Sequence, residues 1–270
     1  MRLHPIANLL ATKQVVFLHG FMGSALDWQG VIQHLPVNFG YWAVDLPGHA
    51  TQPLPHTPQS LTLWAHALQR EIAQHLQKPF ILVGYSMGGR LALTFAGLYP
   101  HLVTGLVLES TSPGMIAPTE RQQRAQLDAQ RAEQLEQTGW DGWLEQWYAA
   151  PLWGNLREQP YLLAPLLQAR ANTAATNMAR VIRELSPGLE PEQWSKLAGL
   201  TMPTLLIAGQ TDAAYCNLLA QMARQIPHSQ TAQIPDAGHN THLQQPAHWA
   251  KIVSLWLMAH FAKENCNCSG

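Results

Sequence analysis

Val83-Gly84-Tyr85-Ser86-Met87-Gly88-Gly89-Arg90 holds a G-x-S-x-G pattern from Gly84 to Gly88. The run Phe80-Ile81-Leu82-Val83 ahead of it is short, apolar and rich in β-formers, so it reads as a buried strand. Leu91 to Leu98 behind it has helical composition and stops before Pro100. Strand, serine and helix in that order give the pattern its chemical meaning, a nucleophile elbow. The sharp turn forces Ser86 into a strained backbone conformation and exposes its hydroxyl. The flanking glycines are needed where neighbouring chain leaves no room for a Cβ. The amide of Met87, with the helix N-terminus, then faces any anion formed beside Ser86.

Outward from the elbow, the chain alternates short apolar runs with helical stretches. Met1 to Thr12 has room for one edge strand. Gln14 to Leu18 is a buried-strand pattern running into His19-Gly20-Phe21-Met22-Gly23-Ser24. A glycine-rich loop in that place normally supplies the second oxyanion donor, here the amide of Phe21. His19 either orients this loop, held by its backbone, or touches the substrate. Asp27 to His34 reads as a short helix, and Tyr41 to Val44 as the next strand, followed by Asp45-Leu46-Pro47-Gly48-His49. Asp45 reads as structural, its carboxylate capping the amides of its own turn. Leu61 to Leu76 is helical, with Leu61, Trp64, Leu68, Ile72 and Leu76 at three- and four-residue spacing. Leu102 to Leu108, Thr204 to Ala208 and Gln230 to Ile234 are further strands, and Pro246 to Ala262 is a final helix. This rhythm predicts an α/β fold whose mostly parallel sheet is covered by helices on both faces. From Pro113 to Trp194 the strand patterns vanish. Five of the ten tryptophans and none of the thirteen histidines lie there. The expected organisation is a core of residues 1–112 and 195–270 with a helical cap, 113–194, inserted in it.

A serine hydroxyl is a weak nucleophile and base until a histidine takes its proton, and a carboxylate must orient that histidine. In this kind of fold the three follow in the order serine, acid, histidine, each on a loop after a strand. The chain offers Ser86, Asp212 and His239 in that order and context. Asp236 is a rival acid, but it is too near His239 in sequence to reach it easily. A zinc site on His239 and His242 would lack a third ligand.

Composition narrows the function. Apolar residues make up 47% of 270, charged residues 12%, and the net charge is −1. No basic run favours nucleic acid, and no apolar run approaches the ~20 residues of a membrane span. The N-terminus lacks signal-peptide character. Three cysteines, two of them in the polar tail Asn265-Cys266-Asn267-Cys268, suggest no disulfide framework. The expectation is a cytoplasmic protein, a monomer or small homo-oligomer, working on a small molecule without metal or organic cofactor.

His19-Gly20-Phe21, the segment Asp45 to His49, the elbow, Asp212 and Gly238-His239 together resemble the α/β-hydrolase superfamily over almost the whole chain. Those markers are shared by esterases, C–C bond hydrolases and lyases, so they leave the substrate open. The elbow with Arg90 is similar to that of the 2-succinyl-6-hydroxy-2,4-cyclohexadiene-1-carboxylate synthase family of menaquinone and phylloquinone biosynthesis. So are Glu120 to Arg124 with Asp128, Trp143 to Tyr148 with Pro151, and Gln168 to Asn172. The resemblance implies a lyase that eliminates pyruvate from 2-succinyl-5-enolpyruvyl-6-hydroxy-3-cyclohexene-1-carboxylate. It also implies that Arg90, Arg124 and Arg170, with Tyr85 and Trp147, bind this polycarboxylate. Read from chemistry alone, an arginine one turn into the elbow helix suits a carboxylate better than a neutral ester. Arg121 rivals Arg124, because helix phase decides which faces the core. The alternative is a serine hydrolase of an ester or a vinylogous diketone using the same triad.

Overall fold

The strands form where apolar side chains on both faces can be buried at once. Along Gln14–Leu18, Val15 and Phe17 pack into one cluster while Val16 and Leu18 pack into the other. The same division holds for Ile81 and Val83 against Leu82, and for Val107 against Leu106 and Leu108. Alternation of this kind follows from the period-two geometry of a strand, and burial on both sides is the signature of a parallel sheet. In the computed structural model the described residues are 1–140 and 142–262. The Cys266 and Cys268 tail therefore lies outside the described residues.

Seven strands make one sheet: β1 (Arg2–Ala7), β2 (Gln14–Leu18), β3 (Gly40–Asp45), β4 (Phe80–Tyr85), β5 (Val103–Glu109), β6 (Thr204–Gly209) and β7 (Ser229–Ile234). Their spatial order is β1-β3-β2-β4-β5-β6-β7, with β1 antiparallel to β3 and every other pair parallel. The helices are α1 (Gln29–Ile32), α2 (Leu61–Ile72), α3 (Met87–Leu98), α4 (Pro118–Thr138), α5 (Trp143–Tyr148), α6 (Pro160–Ala171), α7 (Ala175–Glu184), α8 (Ala213–Ala223), α9 (Thr241–Gln244) and α10 (Pro246–Phe261). Side chains of α2, α3 and α8 join one cluster, and those of α1 and α10 join the other. Among the described residues no helix is long and apolar enough to cross a membrane.

Several element boundaries run differently from the sequence expectation, and one difference matters. The helix from Leu61 ends at Ile72, four residues early. Strands β4 and β5 run further than their apolar runs, because Gly84 pairs with Leu108 and Tyr85 with Glu109. The ladder therefore carries Tyr85 and Glu109 up to the edge where Ser86 stands.

Four α-helices, α4 to α7, lie between β5 and β6. Polar α4 buries Asp128, Ala132 and Leu135, a stripe at helical spacing. It packs on α7, whose Met178, Ala179, Val181 and Ile182 are buried.

Candidate active site

Ser86 joins β4 to α3 with φ 51° and ψ −111°, outside the regions that L-residues ordinarily occupy. The backbone around it holds it there. A Cβ at position 84 would lie 2.6 Å from the Gly88 carbonyl oxygen and 2.7 Å from Gly89 Cα, and one at 88 would strike the carbonyls of Leu18 and His19. Only glycines let α3 press this closely on β4 and β2. The Ser86 amide donates to the Glu109 carbonyl at 2.9 Å.

His239 Nε2 lies 3.0 Å from Ser86 Oγ, and His239 Nδ1 lies 2.9 Å from Asp212 Oδ2. The carboxylate selects the Nδ1–H tautomer and leaves the Nε2 lone pair toward the serine proton. Asp212 caps α8 by accepting from the Tyr215 amide at 3.3 Å, which fixes its own rotamer. Asp212 and His239 are both buried. The rival Asp236 is exposed in a left-handed turn and points to no role in orienting the base.

The loop of the base is tied down by Glu109, which is fully buried. Its carboxylate accepts from the Thr241 amide at 2.8 Å, the Thr241 hydroxyl at 2.7 Å, the His242 amide at 3.1 Å and His242 Nδ1 at 2.8 Å. Burial raises the Glu109 carboxyl, but His242 and these donors outweigh it and leave it below the usual range. His242 is therefore occupied by Glu109 and stacked on Trp28, with ring centroids 4.2 Å apart.

The triad opens into a cavity of about 800 Å³. Ser86, His239, Phe21 and Met87 line it, together with Tyr85, Arg90, Arg124 and Trp147. The first-turn amide of α3 at Met87 has no helical partner, the ordinary state of a helix N-terminus. Arg90 stands one turn further on. Burial pushes its guanidinium down to about 10, which still leaves it a cation at neutral pH, and its Nη1 is buried without a partner among the described residues. A buried donor in that state favours a ligand that brings an acceptor. Arg124 lines the cavity with Nε held by Asp128 at 2.7 Å. Arg121 turns away, donating to the carbonyls of Gly188, Leu189 and Glu190.

Two expected binding residues are not in the cavity wall. His19 is fully buried, with Nδ1 donating to the Gly20 carbonyl at 2.8 Å and Nε2 accepting from the Leu46 amide at 3.1 Å. Both ring nitrogens are used to shape the loop, so none is left for a substrate. Arg170 is 4% exposed and bridges to Asp27, with Nη1–Oδ1 at 3.0 Å and Nη2–Oδ2 at 2.5 Å. A buried guanidinium needs a counter-charge, and Asp27 supplies it in fork geometry. Asp45 is structural as expected, but its partners are distant: Ala25 N at 2.7 Å and His4 Nε2 at 2.8 Å rather than its own turn. Sequence reasoning passed over Arg131, which lines the cavity seven residues after Arg124 on the same helix. That heptad spacing was the signal that could have found it.

The α/β hydrolase fold family matches residues 13–246. A Bacillus subtilis protein provisionally named 2-succinyl-6-hydroxy-2,4-cyclohexadiene-1-carboxylate synthase is 32% identical over 92% of this chain and 91% of its own length. The synthase of that name from Enterobacter sp. is 30% identical over 86% of this chain and 87% of its own. The structure of MenH from Staphylococcus aureus superposes with a TM-score of 0.90 at 28% identity, covering 96% of this chain and 99% of that one. By its sheet order, its strained serine and its ordered triad, and by these matches, this chain belongs to the α/β-hydrolase family, among relatives of the 2-succinyl-6-hydroxy-2,4-cyclohexadiene-1-carboxylate synthases.

Proposed function

We propose that this chain eliminates pyruvate from 2-succinyl-5-enolpyruvyl-6-hydroxy-3-cyclohexene-1-carboxylate, a cytoplasmic step of menaquinone or phylloquinone biosynthesis. The observation that carries it is the joining of a complete triad to arginines in one cavity. A base poised on a hydroxyl is common to many reactions of this family. Guanidiniums in the same cavity restrict the substrate to an anion, and Arg90 with an unpaired buried donor is the sharpest of them.

In this reading residues 113–194 act as a cap that closes the cavity over the core. Ser86 Oγ, with its proton drawn to His239 Nε2, removes the ring proton beside the succinyl ketone. The electron pair forms the enolate, whose oxygen sits between the Phe21 and Met87 amides. Electrons then move through the ring, the C–O bond to the enolpyruvyl group breaks, and the departing enolpyruvate is protonated to pyruvate. The cyclohexadiene product remains. Each preorganised oxyanion donor commonly supplies ~3–4 kcal/mol. No acyl-enzyme forms and no water is consumed.

The test is pyruvate release from the enolpyruvyl substrate, beside Ser86→Ala. Release that collapses in the variant is the expected result. Hydrolysis of simple esters without any pyruvate release would replace the lyase with a capped serine hydrolase.

A further inference from the structure

The wall of the cavity formed by α4 carries an arrangement that no named role covers. Asp128 is 3% exposed, and its carboxylate is shared by two arginines and a serine. Oδ2 accepts from Arg124 Nε at 2.7 Å and from Ser186 Oγ at 2.7 Å, while Oδ1 accepts from Arg131 Nη1 at 3.1 Å. Both arginines line the cavity. One negative charge thus holds two positive ones, and with Arg90 and Glu120 the charged groups of the cavity wall leave one net positive charge. Their backbone positions are two helical turns apart, about 10 Å along the axis, while both side chains turn to the one carboxylate between them. Arg124 lies near enough for its charge to act on Arg90. Arg131 stands elsewhere: its guanidinium lies 5.4 Å from the centroid of the Trp147 ring. Trp147 stacks on Trp143 at 5.1 Å and meets Phe21 at 5.4 Å. Its indole N–H is buried with no partner among the described residues. An orphan donor beside a tethered cation, both in the cavity wall, is a site for an acceptor anion.

We propose that Arg131 binds a carboxylate of the substrate with Trp147, at a second cationic subsite separate from Arg90 and Arg124. Asp128 is the positioning residue that spaces the two cap arginines. This rests on the functional reading above, which supplies a substrate with three carboxylates. Trp147 holds Arg131 by a cation–π contact, which restricts the guanidinium without consuming its donors.

The experiment compares wild-type protein with Arg131→Met, Arg131→Lys and Asp128→Asn in pyruvate release, and in calorimetric binding of citrate as a small tricarboxylate probe. Arg131→Met keeps the aliphatic stem against Trp147 and removes the charge. Expected is a KM raised about 10- to 100-fold with kcat within a few-fold, and citrate binding weakened in proportion. Arg131→Lys should recover part of both, and Asp128→Asn should raise KM while the melting temperature reports any loss of fold. Wild-type KM and citrate affinity in Arg131→Met would overturn the inference. Wild-type protein that releases no pyruvate removes the functional reading, and citrate binding then still judges Arg131. Wild-type protein that neither releases pyruvate nor binds citrate overturns both.

Discussion

At the scale of single residues, the site separates chemistry from affinity. In the proposed reaction Ser86 and His239 act on the reacting atoms, so Ser86→Ala should lower kcat about 100- to 10,000-fold, the usual contribution of a positioned base, and leave KM nearly unchanged. Steady-state pyruvate release reads both constants. Arg90 should behave in the opposite way. Its Nη1 is buried without a partner among the described residues, and in the proposed complex a substrate anion supplies the acceptor. Arg90→Met should therefore raise KM about 10- to 100-fold with a smaller effect on kcat. A variant that lowered kcat alone would move Arg90 from binding into the reaction itself.

Between elements, two buried charge pairs hold the site in register. Glu109 ends β5, takes the Ser86 amide on its carbonyl, and holds the start of α9 on its carboxylate. It joins the nucleophile loop to the base loop through one residue. Glu109→Gln keeps the shape but supplies one acceptor oxygen where two are used, so kcat should fall while the KM for substrate stays put. The second pair is Asp27 with Arg170, joining the Ala25–Trp28 turn to α6. Asp27→Asn would leave a buried guanidinium without its counter-charge, a loss of about 3–5 kcal/mol measured by urea unfolding. The double variant Asp27→Leu with Arg170→Met should recover most of that loss, because neither charge is then stranded. Equal instability of the single and double variants would show that packing, not charge, dominates there.

For the whole molecule, buried titrating groups set the dependence of stability on pH. His19 and His49 are fully buried, and burial holds both below the ordinary 6.5, His49 well below. In the folded protein they stay neutral where the unfolded chain takes up protons. Below pH 6.5 the unfolded state therefore binds more protons than the folded state, and stability falls as the pH drops from 6.5 toward the folded values. Each histidine contributes a slope of at most ~1.4 kcal/mol per pH unit. Glu109 and Asp27 lie below their ordinary values, so their contribution is present above about pH 4–4.5 and is lost as the pH falls further. Acid unfolding should accordingly proceed in two ranges. Urea midpoints at pH 7.5, 5.5 and 4 would resolve them. His49→Phe, which keeps a ring against Phe21 and Trp64, should flatten the upper range. An unchanged slope would remove His49 from this account.

The strands, their mostly parallel arrangement, and the order of Ser86, Asp212 and His239 were legible in the amino-acid sequence. Those features are local: an apolar run of strand length, a glycine-flanked turn, and a polar residue directly after a strand each declare themselves within a few positions. How each charge is matched became visible only in the folded chain. Arg170 and Asp27 are 143 residues apart, and Glu109 and His242 are 133 apart. No periodicity reports such a pair, so an arginine bound for a buried aspartate looks the same in sequence as one bound for a substrate. Helix phase had the same effect within α4. Arg121, Arg124 and Arg131 differ in where their side chains lie because the helix is rotated to bury Asp128, Ala132 and Leu135. That rotation is set by packing against α7, a contact between segments that the chain brings together only when it folds.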